Sequence, residues 1–233
     1  MHLFAGSQGM HPIFTYMLHY HIITLFPESI EPYLAASIIG KAREKGKIKV
    51  SYYNPRDFTR EADARVDRRP YGGGPGMVLE PDAVLRAAMK AIGKKKTVEV
   101  IFFSTGGSQF DEPMAQKLAK KKDIVFICGH YEGVDARVGE ILKAKLVTMG
   151  PYVLTGGELP AATMIDAISR HVPGVLGKEE SLEASRVSSP DVYTRPEVFV
   201  WKKKKYPVPE VLLSGHHAKI DAWKKERRNA KHE

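Results

Sequence analysis

The chain has 233 residues, with 36 lysines and arginines against 27 aspartates and glutamates, so its formal net charge is +9. Its apolar content of 43%, with 20 glycines and 15 prolines, excludes collagen-like and wholly disordered chains. A single cysteine excludes an internal disulfide and favours a reducing, cytoplasmic compartment. No apolar run approaches the roughly 20 residues needed to cross a bilayer, so we expect no membrane partner. The positive charge favours an anionic partner, nucleic acid first.

The N-terminal region is unusual because no Asp, Glu, Lys or Arg precedes Glu28. A secretory signal needs a basic start and a continuous apolar segment, whereas His11, Pro12, His19 and His21 interrupt this one. We therefore expect a disordered extension over residues 1–20, with Met17 as an alternative start.

Short β-rich runs alternate with helical patterns from His21 onward. Strands are predicted at 21–26, 47–53, 98–104, 123–129 and 145–150. Helices are predicted at 29–45, from Pro81, after the N-cap residue Asp111, at 134–143 and at 158–170. This alternation predicts an α/β fold, with a mostly parallel sheet covered by helices on both faces.

The composition changes after Gly177, where periodic apolar residues give way to serine and charge. We predict an α/β domain at 21–177, a flexible linker at 178–192 and a small basic helical C-terminal domain at 193–233. The last helix, 216–228, offers Ile220 and Trp223 as docking residues.

Three glycine-rich strings are candidates for ligand-binding loops: 70–77, 128–133 and 149–160. The last two each follow a predicted strand, and ligands of open α/β sheets bind at the carboxyl ends of strands. Together these two loops are predicted to form one pocket of backbone donors and acceptors, as adenine-bearing ligands require. Cys128 with His130 also suggests a nucleophile and its base, but a cysteine that ends an apolar strand is more often a packing residue.

Other motifs narrow the function further. The sequence contains no phosphate-binding P-loop, no dinucleotide-binding glycine motif and no Cys-x-x-Cys pair. The adjacent His216 and His217 have no third ligand in view, so no metal ligand is assigned. Basic runs at 94–96, 120–122, 202–205 and 224–228 fit contacts to a phosphate backbone.

Several strings occur together in the order of one known family. They are ITLFPE, PRDFT, RVDRRPYGGGPGMV, ICGHYEGVDARV, YVLTGGELPA, HVPGVLG, YTRPEV and VLLSGHHAKI. From about His21 to Trp223 the chain resembles the bacterial tRNA (guanine-N1)-methyltransferases of the TrmD type. The resemblance implies a SPOUT-class domain with a deep trefoil knot, and a homodimer. It also implies S-adenosylmethionine (SAM) as methyl donor and a tRNA partner, whose guanosine directly 3′ of the anticodon is methylated at N1.

The resemblance also implies the residues of the site. The SAM pocket is expected to contain Gly129, Tyr131, Glu132, Met149, Gly150, Pro151, Tyr152, Val153, Leu154, Gly156, Gly157 and Pro160. The flipped guanosine is expected to be received by Asp67, Tyr71, Gly72 and Gly73. Arg170 matches an arginine that stabilises negative charge on the guanine.

The chain departs from the family at the general base. The family's aspartate falls on Ser185 here, and a serine is a poor base at neutral pH. Glu183 is the nearest acid and is predicted to be the catalytic base, ahead of the alternatives Glu179 and Glu180. Two alternatives stay open: a SAM- or tRNA-binding homologue that has lost its base, and a SPOUT methyltransferase with another RNA target. The sequence does not decide which tRNA species is preferred or whether a divalent ion such as Mg²⁺ assists.

Overall fold

A computed structural model describes residues 17–176 and 191–229 of the chain. The chain divides into two compact units, and the division falls between Leu176 and Gly177. The predicted base, Glu183, and most of the predicted linker lie outside the described residues.

The first unit is built on a five-stranded sheet in which every pairing is parallel. Its strands are β1 (Leu18–Ile23), β2 (Ile48–Tyr53), β5 (Glu99–Gln109), β6 (Asp123–Ile127) and β7 (Lys145–Thr148), in the spatial order β2-β1-β6-β5-β7. A separate antiparallel pair is formed by β3 (Asp67–Arg68) and β4 (Val78–Leu79). The predicted mostly parallel sheet is confirmed.

Helices cover both faces of the sheet. They are α1 (Glu31–Leu34), α2 (Ser37–Glu44), α3 (Pro81–Ile92), α4 (Glu112–Leu118), α5 (Ala136–Ile141) and α6 (Glu158–Ser169). Side chains alternate across a strand, so β1 contributes to two cores. Leu18 and Tyr20 belong to the core with α2, α4 and α6. Ile23 belongs to the core with α3 and α5. Over the described ranges, no helix combines the length and the apolar character needed to cross a membrane.

Two predictions near the start of the first unit are wrong. The first strand begins at Leu18, so the expected extension is wrong at residues 18–20, while residues 1–16 lie outside the described part of the chain. Leu18 and Tyr20 are completely buried. The intervening histidines do not interrupt the strand because they alternate onto its other face. The predicted helix 29–45 is divided into α1 and α2 at Ala35 and Ala36. Gly40 permits this break, since a Cβ there would collide with the carbonyl of Ala35.

The second unit was predicted to be helical, and this is wrong in part. It contains α7 (Glu210–Leu213) and α8 (His217–Asn229), but also an antiparallel hairpin of β8 (Val198–Trp201) and β9 (Lys204–Pro207). Lys202 and Lys203 form its two-residue turn, and both have positive φ, at 48° and 66°. Such turns normally use Asn or Gly, so a lysine run carries little turn signal in the sequence.

Candidate cofactor-binding site

A cavity of about 630 Å³ opens beside the middle of β5 and the carboxyl ends of β6 and β7. Its volume lies in the range of pockets that hold small molecules and cofactors. Three parts of the chain line it: the middle of β5, the loop and helix that follow β6, and the loop that follows β7. The two glycine-rich loops that the sequence analysis assigned to one pocket therefore do meet there.

The loop after β6 is shaped by backbone conformations that ordinary residues rarely adopt. Tyr131 has φ of 59° and Gly133 has φ of 116°. The amide of Glu132 donates a hydrogen bond to the carbonyl of Met77 at 3.0 Å, and Gly133 accepts one from the amide of Leu79 at 3.0 Å. The loop is thereby fixed to the segment that follows the exposed glycine-rich stretch 72–76.

The loop after β7 returns to the loop after β6 through two glycines. The amide of Gly157 donates to the carbonyl of Gly129 at 3.0 Å, and Gly156 forms an isolated antiparallel bridge with His130. A Cβ on Gly157 would lie 2.5 Å from the Cα of Cys128, so only glycine allows this approach. The start of α6 is held against the end of β6 in this way.

The charges of the cavity lining are negative. Among the described residues that line it, Glu132 and Glu140 carry carboxylates, and neither lysine nor arginine occurs. Both carboxylates are on exposed residues. A lining of this kind favours a ligand with positive charge over a phosphate-rich one.

One buried polar atom of the lining has no hydrogen-bond partner among the described residues. This atom is Nδ1 of His130, whose ring lies 4.7 Å from the ring of Phe26 and 4.8 Å from that of Tyr131. Buried polar atoms are normally paired. This one is covered by its neighbours and does not open onto the cavity, so His130 lines the cavity through its other atoms. The sequence analysis did not include His130 among the cofactor-contacting residues.

Behind the two loops lies a buried carboxyl group. Glu158 is 8% exposed and accepts a hydrogen bond of 2.6 Å from the hydroxyl of Thr24. Burial, and then the charge of Glu158, raise the pKa of the Cys128 thiol well above its ordinary value. Because a thiolate is the nucleophilic form of cysteine, the alternative of Cys128 as a nucleophile loses its support.

The candidate guanosine-binding residues come shortly before Met77 and Leu79, which are hydrogen-bonded to the loop after β6. Tyr71 is fully exposed, and Gly72 and Gly73 are exposed with positive φ. Asp67 belongs to β3, where its carboxylate lies 3.7 Å from Nε of Arg65. The stretch ends at Gly76, where a Cβ would collide with the side chain of Glu132, so this loop and the cavity share a wall.

Ten of the twelve predicted SAM-contacting residues line the cavity. Gly150 and Pro151 are outside the lining: Gly150 is buried beneath the ring of Tyr152, and Pro151 is exposed. Arg170 is also outside it, as the C-cap of α6 at the end remote from the cavity.

Sequence reasoning missed part of the lining. The missed residues come mainly from β5 and from the segment between β6 and β7, and include Phe102, Phe103, Ser104, Thr105, Ala136, Gly139, Glu140, Ala144 and Leu146. A signal existed for β5, because its predicted strand ends beside the two neighbouring strand-end loops. Glu140 has no such signal, since it reads as an exposed residue of an ordinary helix.

The fold and the cavity define an α/β protein with a small-molecule site where its parallel strands end. The sequence matches the family described as tRNA (Guanine-1)-methyltransferase TrmD over residues 18–233. The chain therefore belongs to the TrmD family.

Its curated relatives are similar along most of their length. A tRNA (guanine-N(1)-)-methyltransferase of Lachnoclostridium phytofermentans is 41% identical, over 90% of this chain and 86% of the relative. An enzyme of the same name from Clostridioides difficile is 43% identical, over 90% of this chain and 91% of the relative. One from Staphylococcus epidermidis is 46% identical, over 88% of this chain and 84% of the relative.

Proposed function

We propose that this protein is an enzyme that transfers a methyl group from SAM to N1 of the guanosine directly 3′ of the anticodon in tRNA. The observation that carries this proposal is the cavity between two glycine-rich loops in a chain that belongs to the TrmD family. A cytoplasmic location is part of this proposal, supported by the tRNA substrate and by a single cysteine, which cannot form an internal disulfide.

The cavity fits SAM by chemistry as well as by size. SAM supplies an electrophilic methyl group on a positively charged sulfonium. The carboxylates of Glu132 and Glu140 offset such a charge, and the lining has no lysine or arginine, among the described residues, to oppose it. Backbone groups at Gly129 and Gly156 offer hydrogen bonds to the polar edge of an adenosine.

The exposed loop 70–76 is the proposed entry for the guanosine. A base must leave its stack to be methylated at N1, which costs a few kcal/mol. Tyr71 offers an unburied aromatic ring for stacking, and the positive-φ glycines bring backbone close to the incoming base. The close approach of Gly76 to the side chain of Glu132 supports a position of this loop beside the proposed SAM site.

Proton removal is assigned to Glu183, with Arg170 stabilising the negative charge that develops on the guanine. Guanine N1 carries a proton and is a weak nucleophile, so a base must accept that proton as the methyl group is transferred. Glu183 is proposed because the family's aspartate position is Ser185 in this chain.

We further propose a homodimer as the active form. Pro160, at the third position of α6, lines the cavity, whereas Arg170 caps the other end of the same helix. Ten residues of helix separate them by about 15 Å, which supports an arginine supplied to this cavity by a second copy. Two apolar side chains beside the cavity are exposed, Val153 at 82% and Leu159 at 63% of their surface. Such exposure supports the proposal that a second copy covers this surface.

The deep trefoil knot of SPOUT proteins is proposed for the first unit. It is supported by the path of the chain after β7, which is an edge strand. From there the chain passes β5 and makes the hydrogen bond from Gly157 to Gly129 at the end of β6.

The proposed activity is tested by methyl transfer from labelled SAM to two tRNA transcripts that differ only at the target nucleoside. We expect label on the transcript with guanosine directly 3′ of the anticodon and none on that with adenosine. Label on neither, with SAM binding intact, would support a homologue that has lost its base.

The assignment of the base has its own test. Glu183→Gln is expected to lower the single-turnover rate by 100-fold or more at unchanged tRNA affinity, in line with a lost general base. Glu180→Gln is the matched control and is expected to keep the rate within about threefold. An unchanged rate in Glu183→Gln would remove Glu183 from this role.

A further inference from the structure

A second group of titratable side chains lies at the other end of the sheet. His19 and His21 are on β1, and Asp123 is the first residue of β6. Six residues of extended chain separate Asp123 from Gly129 at the cavity, which corresponds to about 20 Å. This cluster is therefore separate from the cofactor site.

The three side chains converge on a small volume. Asp123 is the register partner of His19, and the two histidines are two residues apart on the same face of β1. Oδ1 of Asp123 lies 2.9 Å from Nε2 of His21 and 3.9 Å from Nδ1 of His19. One ligand atom from each residue lies within 4.8 Å of the other two.

Hydroxyl groups on β2 hold, in each imidazole, the ring nitrogen that lies farther from Asp123. Nε2 of His19 lies 2.8 Å from Oγ of Ser51, and Nδ1 of His21 lies 3.1 Å from the hydroxyl of Tyr53. Histidines that bind metals normally use their second ring nitrogen in a hydrogen bond of this kind, which fixes the ring orientation. The nitrogens nearer to Asp123 are left facing the carboxylate.

The cluster lies partly inside the protein and partly open to solvent. His21 is 1% exposed. His19 and Asp123 retain partial exposure, so an ion can reach the cluster from solvent.

Two lysines near the cluster restrict the kind of cation that fits. Nζ of Lys95 lies 3.8 Å from Oδ1 of Asp123, although it also donates to the carbonyl of Ala91 at 2.8 Å. Lys49 is exposed on β2. Mg²⁺ and Ca²⁺ prefer several oxygen ligands, whereas this cluster offers one carboxylate with positive charge nearby. Its two imidazoles suit Zn²⁺ instead.

We propose that His19, His21 and Asp123 bind a divalent ion of the zinc class, with water completing the coordination. Zinc bonds of about 2.0 to 2.1 Å place tetrahedral ligands about 3.3 Å apart. The His21–Asp123 distance of 2.9 Å must therefore open by about 0.4 Å, and the His19–Asp123 distance of 3.9 Å must close by about 0.6 Å. Binding replaces the hydrogen bond between His21 and Asp123 and joins β1 to β6. A proton on Nε2 of neutral His21 moves to Nδ1, where the hydroxyl of Tyr53 can accept its hydrogen bond.

The sequence analysis assigned no metal ligand, and the reason is separation along the chain. The two histidines read as interruptions of an apolar segment, and Asp123 is 102 residues beyond His21. Only the pairing of β1 with β6 brings the three together.

The test is a Zn²⁺ titration of the full chain, without an affinity tag, followed by calorimetry and by the thermal unfolding midpoint. Wild type is expected to bind one ion per chain at this site and to unfold at a higher temperature with Zn²⁺. His19→Gln and Asp123→Asn are each expected to weaken binding by at least about 10-fold and to abolish the thermal shift. A variant with His216→Gln and His217→Gln is the control, expected to behave as wild type.

Two outcomes would overturn the proposal. One is the absence of saturable Zn²⁺ binding by wild type, which would leave a hydrogen-bonded His–Asp pair only. The other is His19→Gln binding Zn²⁺ as wild type does, since His19 is partly exposed and its replacement should leave the fold intact.

Discussion

At the scale of single residues, the cavity depends on backbone approaches that only glycine permits. Gly157 lies against Cys128, and Gly76 lies against the side chain of Glu132. In each case a methyl group would occupy space already filled by a neighbouring loop. The glycine-rich strings are therefore packing contacts between loops as well as sources of unobstructed backbone for a ligand.

Gly157→Ala is expected to destabilise the first unit. Its Cβ would lie 2.5 Å from the Cα of Cys128 and 3.1 Å from the amide nitrogen of Gly129, so backbone must move. We expect a loss of about 1 to 3 kcal/mol in the free energy of unfolding, measured by urea denaturation, and weaker SAM binding by calorimetry.

Gly106→Ala is the matched control for this change. Its Cβ would meet only Oγ of Ser104, at 3.9 Å, so we expect wild-type stability. Equal stability of the two variants would contradict the close contact between the cavity loops.

Cys128 is expected to be unreactive in the folded protein. It is 3% exposed, and burial raises the pKa of its thiol, so the thiolate form is suppressed below that raised value. A colorimetric thiol reagent at about pH 8 should react with the unfolded chain, whose cysteine has a pKa of about 8.5, and at least about 100-fold more slowly with the native one. Rapid labelling of the native protein would show an accessible thiolate.

The sequence located residues of the cavity where a string itself carries the signal. Ten of the residues expected to bind SAM line the cavity, and they lie within two glycine-rich loops that each follow a strand. His130 and Glu140 were missed because their part in the cavity depends on neighbours distant in the chain: Gly156 for His130, and the wall formed by β5 and β7 for Glu140.

At the scale of elements, helix α4 shows that a local sequence signal can be sufficient to predict where a helix begins. Its N-cap, Asp111, accepts a hydrogen bond of 2.9 Å from the amide of Met114, as the sequence predicts. Asp111→Ala is expected to cost about 1 kcal/mol of unfolding free energy by urea denaturation, because the amide loses its partner. Asp111→Ser is the control and should recover most of that loss, whereas equal losses in both would exclude capping as the cause.

The hairpin β8–β9 shows where a local signal fails. Val198 to Trp201 has strand-forming residues, but the adjoining lysines dominated the interpretation of this segment as a basic surface. The division of helix 29–45 was missed for a related reason, since the approach of Gly40 to Ala35 depends on packing rather than on apolar periodicity.

At the scale of the whole molecule, the charge of +9 predicts how tRNA binding responds to salt. Lys202 to Lys205 are all exposed and available to phosphates. If four phosphates are contacted, raising KCl from about 50 to about 200 mM should weaken tRNA binding by about 100-fold, measured by fluorescence anisotropy. SAM affinity should change less than about threefold, because the cavity proposed to bind SAM has no lysine or arginine among the described residues that line it. A tRNA affinity independent of salt would contradict a phosphate-based interface.

The central claim is that this chain methylates one atom of one nucleoside, and nucleoside analysis tests it most directly. An unmodified tRNA transcript with guanosine 3′ of the anticodon is incubated with the protein and SAM, digested and analysed by mass spectrometry. The account predicts N1-methylguanosine as the methylated product, mapped to that position. Methylation of a different atom, nucleoside or position would contradict it.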